Sequence, residues 1–270
     1  MASTKGEIEV VPVKSADRVL TLIELLTEHR DGLTFTQLQE LTGWPRSSLY
    51  GLLRTMADRH HLEFDPHSQG YRIGVRIWEA GQAFNWSIKI SELAIPYLRE
   101  ARERLNETVQ LAVLDGIENI YVAKVEASHP LKLDSFVGAR LPAYATGIGK
   151  VLLAGLDESE LDARLKGVKL TKYTDTTILS MGRLRQLLRD VRTQGFAVDN
   201  EELTLGVCCW AVPVRDVTGS VIAAVSTSIP SARVSEEIEE TALEVLTETA
   251  GKISSQLGYK PQAVASDEHG

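Results

Sequence analysis

Cysteine is scarce in this 270-residue chain: there are two, Cys208 and Cys209, and they are adjacent. A disulfide framework is therefore not expected, and a reducing cytoplasm is the expected location. Long apolar runs are missing too. No stretch approaches the length of a membrane span, and Met1 to Glu7 lacks the apolar core of a signal peptide. Positive charge is in short supply: 29 Lys and Arg face 37 Asp and Glu, a formal net charge of -8. Any affinity for nucleic acid must then come from a local patch. No spacing of His, Cys and Asp resembles a metal site, so neither a metal nor a cofactor is expected. What is present is apolar content of 43% over a length that buries a real core and divides most naturally into two domains.

The most informative stretch runs from Leu33 to Arg72. Thr34 and Gln37 have capping-box spacing, which predicts a helix from about Phe35 with Leu38 and Leu41 on its apolar side. Gly43-Trp44-Pro45 breaks the chain, and Pro45 suits the first position of a second helix because its missing N–H would be unpaired there. That helix is expected to run to about His60. Leu49, Leu52, Leu53 and Met56 recur at helical spacing, turning Ser47, Tyr50, Gly51 and Arg54 outward, with Arg46 at the N-terminal lip. Two extended runs, Leu62 to Phe64 and Gly70 to Ile73, flank Asp65 to Gln69, whose residues favour turns. A capped helix, a tight Gly turn, a helix bearing exposed Arg and hydroxyls, and a hairpin together describe a winged helix-turn-helix, which lays one helix in the DNA major groove. From Ser15 to Arg72 six arginines meet eight acidic residues, so the basic footprint is local: Arg46, Arg54 and Arg59 against Asp58 between Pro45 and His61.

Residues 1–14 show no periodicity and read as a flexible arm. Ser15 is expected to cap a helix bearing Val19, Leu22, Ile23 and Leu26 that ends before Asp31-Gly32. The winged helix occupies 15–75. A linker helix over 76–90 carries Trp78, Phe84 and Trp86, apolar side chains that a dimer partner or the chain's own core must cover. Another helix, from Ser91 to about Asn106, contains Pro96. From there β-branched runs predict strands at Thr108–Leu114, Ile120–Val125 and Leu131–Ser135, with Asp115-Gly116 a hairpin signal. Helices dominate from Gly147 to Gly195, strands return at Cys208–Val214 and Val221–Ser228, and a last helix spans Glu236 to about Leu257. The whole is α+β, with a second domain over 91–258 and a tail over 259–270.

The chain resembles the IclR-type bacterial transcription regulators from about Lys14 to Leu257. The resemblance rests on the runs 15–18, 43–48, 111–116, Leu141 to Lys150, Asp199 to Glu202, and Gly206 to Cys209. It implies an N-terminal winged helix, a dimerising linker helix and a C-terminal GAF-like, antiparallel-sheet domain that binds a small effector and helps form a tetramer. Arg46, Ser47, Ser48, Tyr50 and Arg54 are the DNA-binding candidates. Gly51 stands where many relatives carry Arg, so either Arg54 compensates one turn later or the bare backbone lets the helix sit closer to the groove.

The same resemblance carries an effector pocket onto Gly147, Ile148, Asp199, Cys209, Ser226 and Ser228, and Val207, on the strand face of Cys209, joins the candidates. The residues themselves agree with it. Gly147-Ile148-Gly149 opens a helix, where free N–H groups favour an anion. Ser226 and Ser228 share one strand face, as do Val207, Cys209 and Ala211. The expectation is a regulator that binds double-stranded operator DNA as a homodimer or dimer of dimers, represses rather than activates a catabolic operon, and answers to a small carboxylate. Two readings of other classes stay open on the residues alone. An enzyme using Cys209 and Asp199 lacks an adjacent base, since His129 is the one histidine in the body of the second domain; a ligand-binding scaffold without DNA binding is the other.

Overall fold

The computed structural model describes residues 13–82, 85–129 and 135–260, with the backbone alone for 82 and 85–89. They divide into two compact units, Met1–Asn85 and Trp86–Gly270. Residues 1–12 of the expected arm, Phe84, residues 131–134 of the strand expected over Leu131–Ser135 and the side chain of Trp86 lie outside the described residues, while Lys14 belongs to a helix and Ser135 to no strand.

The first unit contains α1 (Lys14–Glu28), β1 (Leu33–Thr34), α2 (Phe35–Thr42), α3 (Arg46–Asp58), β2 (Leu62–Asp65), β3 (Gly70–Ile73) and α4 (Val75–Gln82). Both halves of the capping box at α2 form: the Gln37 N–H donates to Thr34 Oγ1 at 3.3 Å and the Thr34 N–H to Gln37 Oε1 at 2.8 Å. Gly43 closes α2 in the left-handed region, at φ 63°. Leu22, Leu26, Leu38, Leu49, Leu53, Met56 and Leu62 make one core.

Several boundaries differ from the sequence reading. Ser15 caps nothing: α1 starts a residue earlier, and the Asp17 N–H already bonds the Val13 carbonyl. Pro45 is the residue before α3 rather than its first, because its carbonyl accepts from Ser48 and Leu49 while its own ψ of 134° is extended. Leu41 is 55% exposed, as α2 buries only Leu38. β1 was not expected; two residues suffice because Leu33 and Thr34 pair with Tyr71 and Gly70, giving a sheet of order β1-β3-β2. Of the linker expected over 76–90, α4 covers the described part up to Gln82, residues 83 and 84 lie outside the described residues, and the next helix is described from Asn85, six residues before Ser91.

The second unit contains α5 (Asn85–Leu105), β4 (Thr108–Asp115), β5 (Glu118–Val125), β6 (Arg140–Pro142), α6 (Gly147–Ala154), α7 (Glu158–Leu165), α8 (Met181–Gln194), β7 (Ala197–Asn200), β8 (Val207–Arg215), β9 (Val221–Pro230) and α9 (Glu236–Gln256). Its six strands form an antiparallel sheet of order β6-β5-β4-β9-β8-β7. Alternation along each strand divides the side chains between two cores. Cys208, Trp210, Val212, Val225 and Leu111 pack under α5 and α9, while Ala211, Ala224 and Ala112 face α6 and α8. The β4–β5 ladder contains one irregularity. Leu111 pairs with Ala123 and Ala112 with Tyr121, so Val122 is bulged out of the ladder. The bulge resets the alternation, sending Ala123 to the α5 side and Tyr121 to the α6 side.

Candidate functional sites

On α3 the exposed residues are Arg46, Ser47, Tyr50, Gly51, Arg54, Thr55 and Asp58, a stripe at helical spacing opposite the buried leucines. Arg46 lies over the Phe35 ring at 5.1 Å, and Arg54 makes an open ion pair with Asp58 at 3.7 Å. Ser48 is set apart from this stripe: half-buried, it accepts from Arg18 Nη1 at 2.6 Å, and Arg18 also covers the Trp44 ring. The hairpin extends the surface. Phe64 and Tyr71 sit opposite each other across β2 and β3 with ring centroids 5.0 Å apart. With Thr34, Gln69, Arg46, Ser47 and Tyr50 they line a wide cleft between α3 and the hairpin. Sequence reasoning did not single out Thr34, Phe64, Gln69 and Tyr71 as surface partners of α3, because which strand face meets α3 is set by the pairing of β1 with β3.

In the second unit all seven residues expected to form a pocket line one cavity of about 230 Å³. Register explains part of this: Asp199, Cys209 and Ser228 are direct neighbours across β7, β8 and β9. Ser226 and Ser228 are buried, and each hydroxyl lies 3.4 Å from Gln110 Oε1. Cys209 Sγ is 3.2 Å from Ser228 Oγ, and burial pushes its thiol well above the usual range. It therefore stays a neutral thiol rather than a nucleophile.

The start of α6 closes one side. Thr146 Oγ1 accepts from the Gly149 N–H at 3.1 Å and donates to Asn119 Oδ1 at 2.7 Å. The N–H groups of Gly147 and Ile148, in the first turn, have no partner within the helix. A Cβ on Gly147 would crowd the Cys209 carbonyl of β8 at 3.1 Å, and one on Gly149 would clash with Ala143 Cα at 2.2 Å, so the turn at 143–146 can fold against α6 only with glycine at 149. Beneath it Lys150 is fully buried, its Nζ 2.5 Å from Glu202 Oε1 and 2.6 Å from the Val198 carbonyl. Asp199 accepts from the Glu202 N–H at 2.7 Å, yet burial dominates and pushes its carboxyl up to about 7 against the opposing pull of Lys150.

The cavity also takes in residues that sequence reasoning missed, among them Gln110, Tyr121, Ser135 and Thr146. Only Thr146 carried a signal, inside the run from Leu141 to Lys150. A second cleft, near Arg192 and Arg215, is larger, at about 410 Å³. Its Arg192 is already committed to the carbonyls of Ala154 and Leu156 and to Glu158.

A winged helix with an exposed arginine-bearing face, joined in one chain to a sheet domain holding a small cavity of mainly apolar walls with a few polar groups, defines a DNA-binding transcription regulator. The chain belongs to the IclR family: the IclR helix-turn-helix domain matches residues 15–66, and the C-terminal domain of the bacterial transcriptional regulator IclR matches residues 83–255. It is 36% identical over 247 residues to the HTH-type transcriptional regulator XynR of Escherichia coli, covering 92% of this chain and 98% of that one. It is 30% identical to the HTH-type transcriptional repressor AllR of the same species, covering 94% and 95% of the two chains. Among solved structures, an IclR homologue from Microbacterium hydrocarbonoxydans complexed with 4-hydroxybenzoate superposes with a TM-score of 0.79 at 25% identity, covering 90% of this chain and 98% of the other. These relatives are named as regulators, and the chain is a regulator and not an enzyme.

Proposed function

We propose that this protein is a cytoplasmic repressor of a catabolic operon, released or reset by a small organic acid bound in the 230 Å³ cavity. The observation that carries the reading is the convergence of Gly147, Ile148, Asp199, Val207, Cys209, Ser226 and Ser228 on that one cavity. The free N–H groups of Gly147 and Ile148 would take the carboxylate, favoured by the helix dipole. A hydroxyl elsewhere on the effector would satisfy Asp199, which otherwise repels an anion unless protonated. The 4-hydroxybenzoate bound by the Microbacterium homologue has both groups.

On DNA, Arg46, Ser47, Tyr50 and Arg54 form the reading face, and Ser48 supports it through Arg18. A two-fold operator needs two such faces about 34–36 Å apart or a multiple of that, hence a dimer or a dimer of dimers. Trp78, 64% exposed on α4, is a candidate anchor for the dimer. The reading is tested by a gel shift with DNA from upstream of the protein's own gene and its neighbours, with and without a panel of small hydroxy, oxo and aromatic acids. Retarded DNA that one acid releases is the expected result; no retardation of any upstream fragment sinks it.

A further inference from the structure

Two hydroxyl groups at the effector cavity have no hydrogen-bond partner among the described residues. Ser135 Oγ is sealed from solvent and unpaired. Tyr121 is buried at 6% exposure, lines the cavity, and its hydroxyl makes no hydrogen bond among the described residues. A fully buried hydroxyl such as that of Ser135, left without a partner, costs stability and is seldom tolerated without a reason. Tyr144, on the same side of the sheet, shows the ordinary solution: its hydroxyl donates to the Thr171 carbonyl at 3.0 Å and accepts from the Thr171 N–H at 2.7 Å. Tyr121 has no such arrangement.

The backbone around both residues is fixed nonetheless. The Gly138 N–H donates to the Tyr121 carbonyl at 2.7 Å, and the Tyr121 N–H to the Ala139 carbonyl at 3.1 Å. Lys124 Nζ donates to the Ser135 carbonyl at 2.5 Å. Tyr121 reaches the cavity only because of the bulge at Val122; in a regular strand it would share a face with Ala123 and enter the core under α5. Bulges recur beside binding sites, where they re-aim one side chain. Burial holds the Tyr121 phenol far above its ordinary range, with Cys209 and Asp199 adding to the effect, so it remains protonated and able to donate.

We propose that Tyr121 and Ser135 are effector-binding residues whose hydroxyls bond an oxygen substituent other than the effector's carboxylate, so that the effector is a hydroxy or oxo acid rather than a plain alkanoic or aromatic acid. This rests on reading the cavity as the effector site. It adds two residues to that site and a chemical requirement that the Gly147 turn alone does not impose. Their preorganised backbone means little ordering is left for binding to supply.

The test is calorimetry on the full-length protein with matched probes: 4-hydroxybenzoate against benzoate, 4-hydroxybutyrate against butyrate, and neutral 4-hydroxybenzyl alcohol. Wild type should favour the oxygenated member of a pair by about tenfold, the equivalent of one hydrogen bond. Tyr121→Phe or Ser135→Ala should remove most of that preference while leaving affinity for the unsubstituted acid unchanged and the melting temperature of the free protein equal or higher. A lowered melting temperature with the preference intact would show that the hydroxyls serve packing alone and overturn the proposal. Binding of the neutral alcohol but of no acid, with the same sensitivity to Tyr121→Phe, would uphold these two residues and overturn the carboxylate reading. Binding of none of the probes overturns both.

Discussion

Lys150 Nζ and Glu202 Oε1 lie 2.5 Å apart in the interior of the second unit, joining α6 to the turn that follows β7. The lysine is 0% exposed, and the second carboxylate oxygen of Glu202 has no partner among the described residues. Coulomb attraction at this separation competes with the cost of stripping water from both ions, so the pair contributes little net stability while being expensive to break.

Lys150→Met strands the Glu202 carboxylate and should destabilise the second unit by about 3–5 kcal/mol at neutral pH. Adding Glu202→Gln should recover much of the loss. Urea denaturation of the two variants measures this, and a single-variant loss under about 1 kcal/mol would place the pair among ordinary surface ion pairs.

Asp199 gives the second unit a pH dependence of defined sign. Its carboxyl is raised from 3.8 to about 7, so the folded state holds the proton more tightly than the unfolded state does. Stability contributed by the neutral acid is present below about 4 and is lost as pH rises toward 7, above which the loss is complete. Asp199→Asn removes that slope. Its melting temperature should match wild type at pH 4 and exceed it at pH 8; equal melting temperatures at both would refute the buried, proton-holding state.

Arg54 should read a base or a phosphate once its open pair with Asp58 parts, which costs at most about 1 kcal/mol. Arg54→Ala should weaken operator binding by roughly 1–3 kcal/mol if it reads a base. A uniform loss across DNA sequences, with a shallower salt dependence, marks a phosphate contact instead. Unchanged affinity in both Arg46→Ala and Arg54→Ala would remove α3 from the interface.

Gly51 faces solvent, and a Cβ there would meet nothing within 4 Å. Gly51→Ala should therefore stabilise α3 by up to about 1 kcal/mol. If the bare backbone lets α3 approach the groove closely, the same variant binds operator more weakly despite melting higher. Affinity equal to wild type would show that Gly51 is merely tolerated and that Arg54 carries the contact alone.

The reading helix and its flanks were legible in the chain because their causes are local. The Thr34–Gln37 box, the Gly43 stop and the leucine spacing of α3 each depend on residues within a turn or two of one another. Six of the seven cavity residues follow from a family resemblance and Val207 from alternation with Cys209; alternation along β8 and β9 accounts for why Cys209, Ser226 and Ser228 share a face, and register for why Asp199 joins them.

Tertiary structure decided the rest. The burial of Lys150 depends on Glu202, fifty-two residues later, and β1 depends on a partner strand beyond two helices. The placement of Tyr121 depends on a bulge that appears only when β4 and β5 are laid in register, since period-two alternation by itself assigns it to the wrong face. Helical spacing and caps are properties of a short stretch, and the sequence determined them unaided. Pairing register, the loss of solvent around a charge and the isolation of a hydroxyl arise only when distant segments compete for the same space.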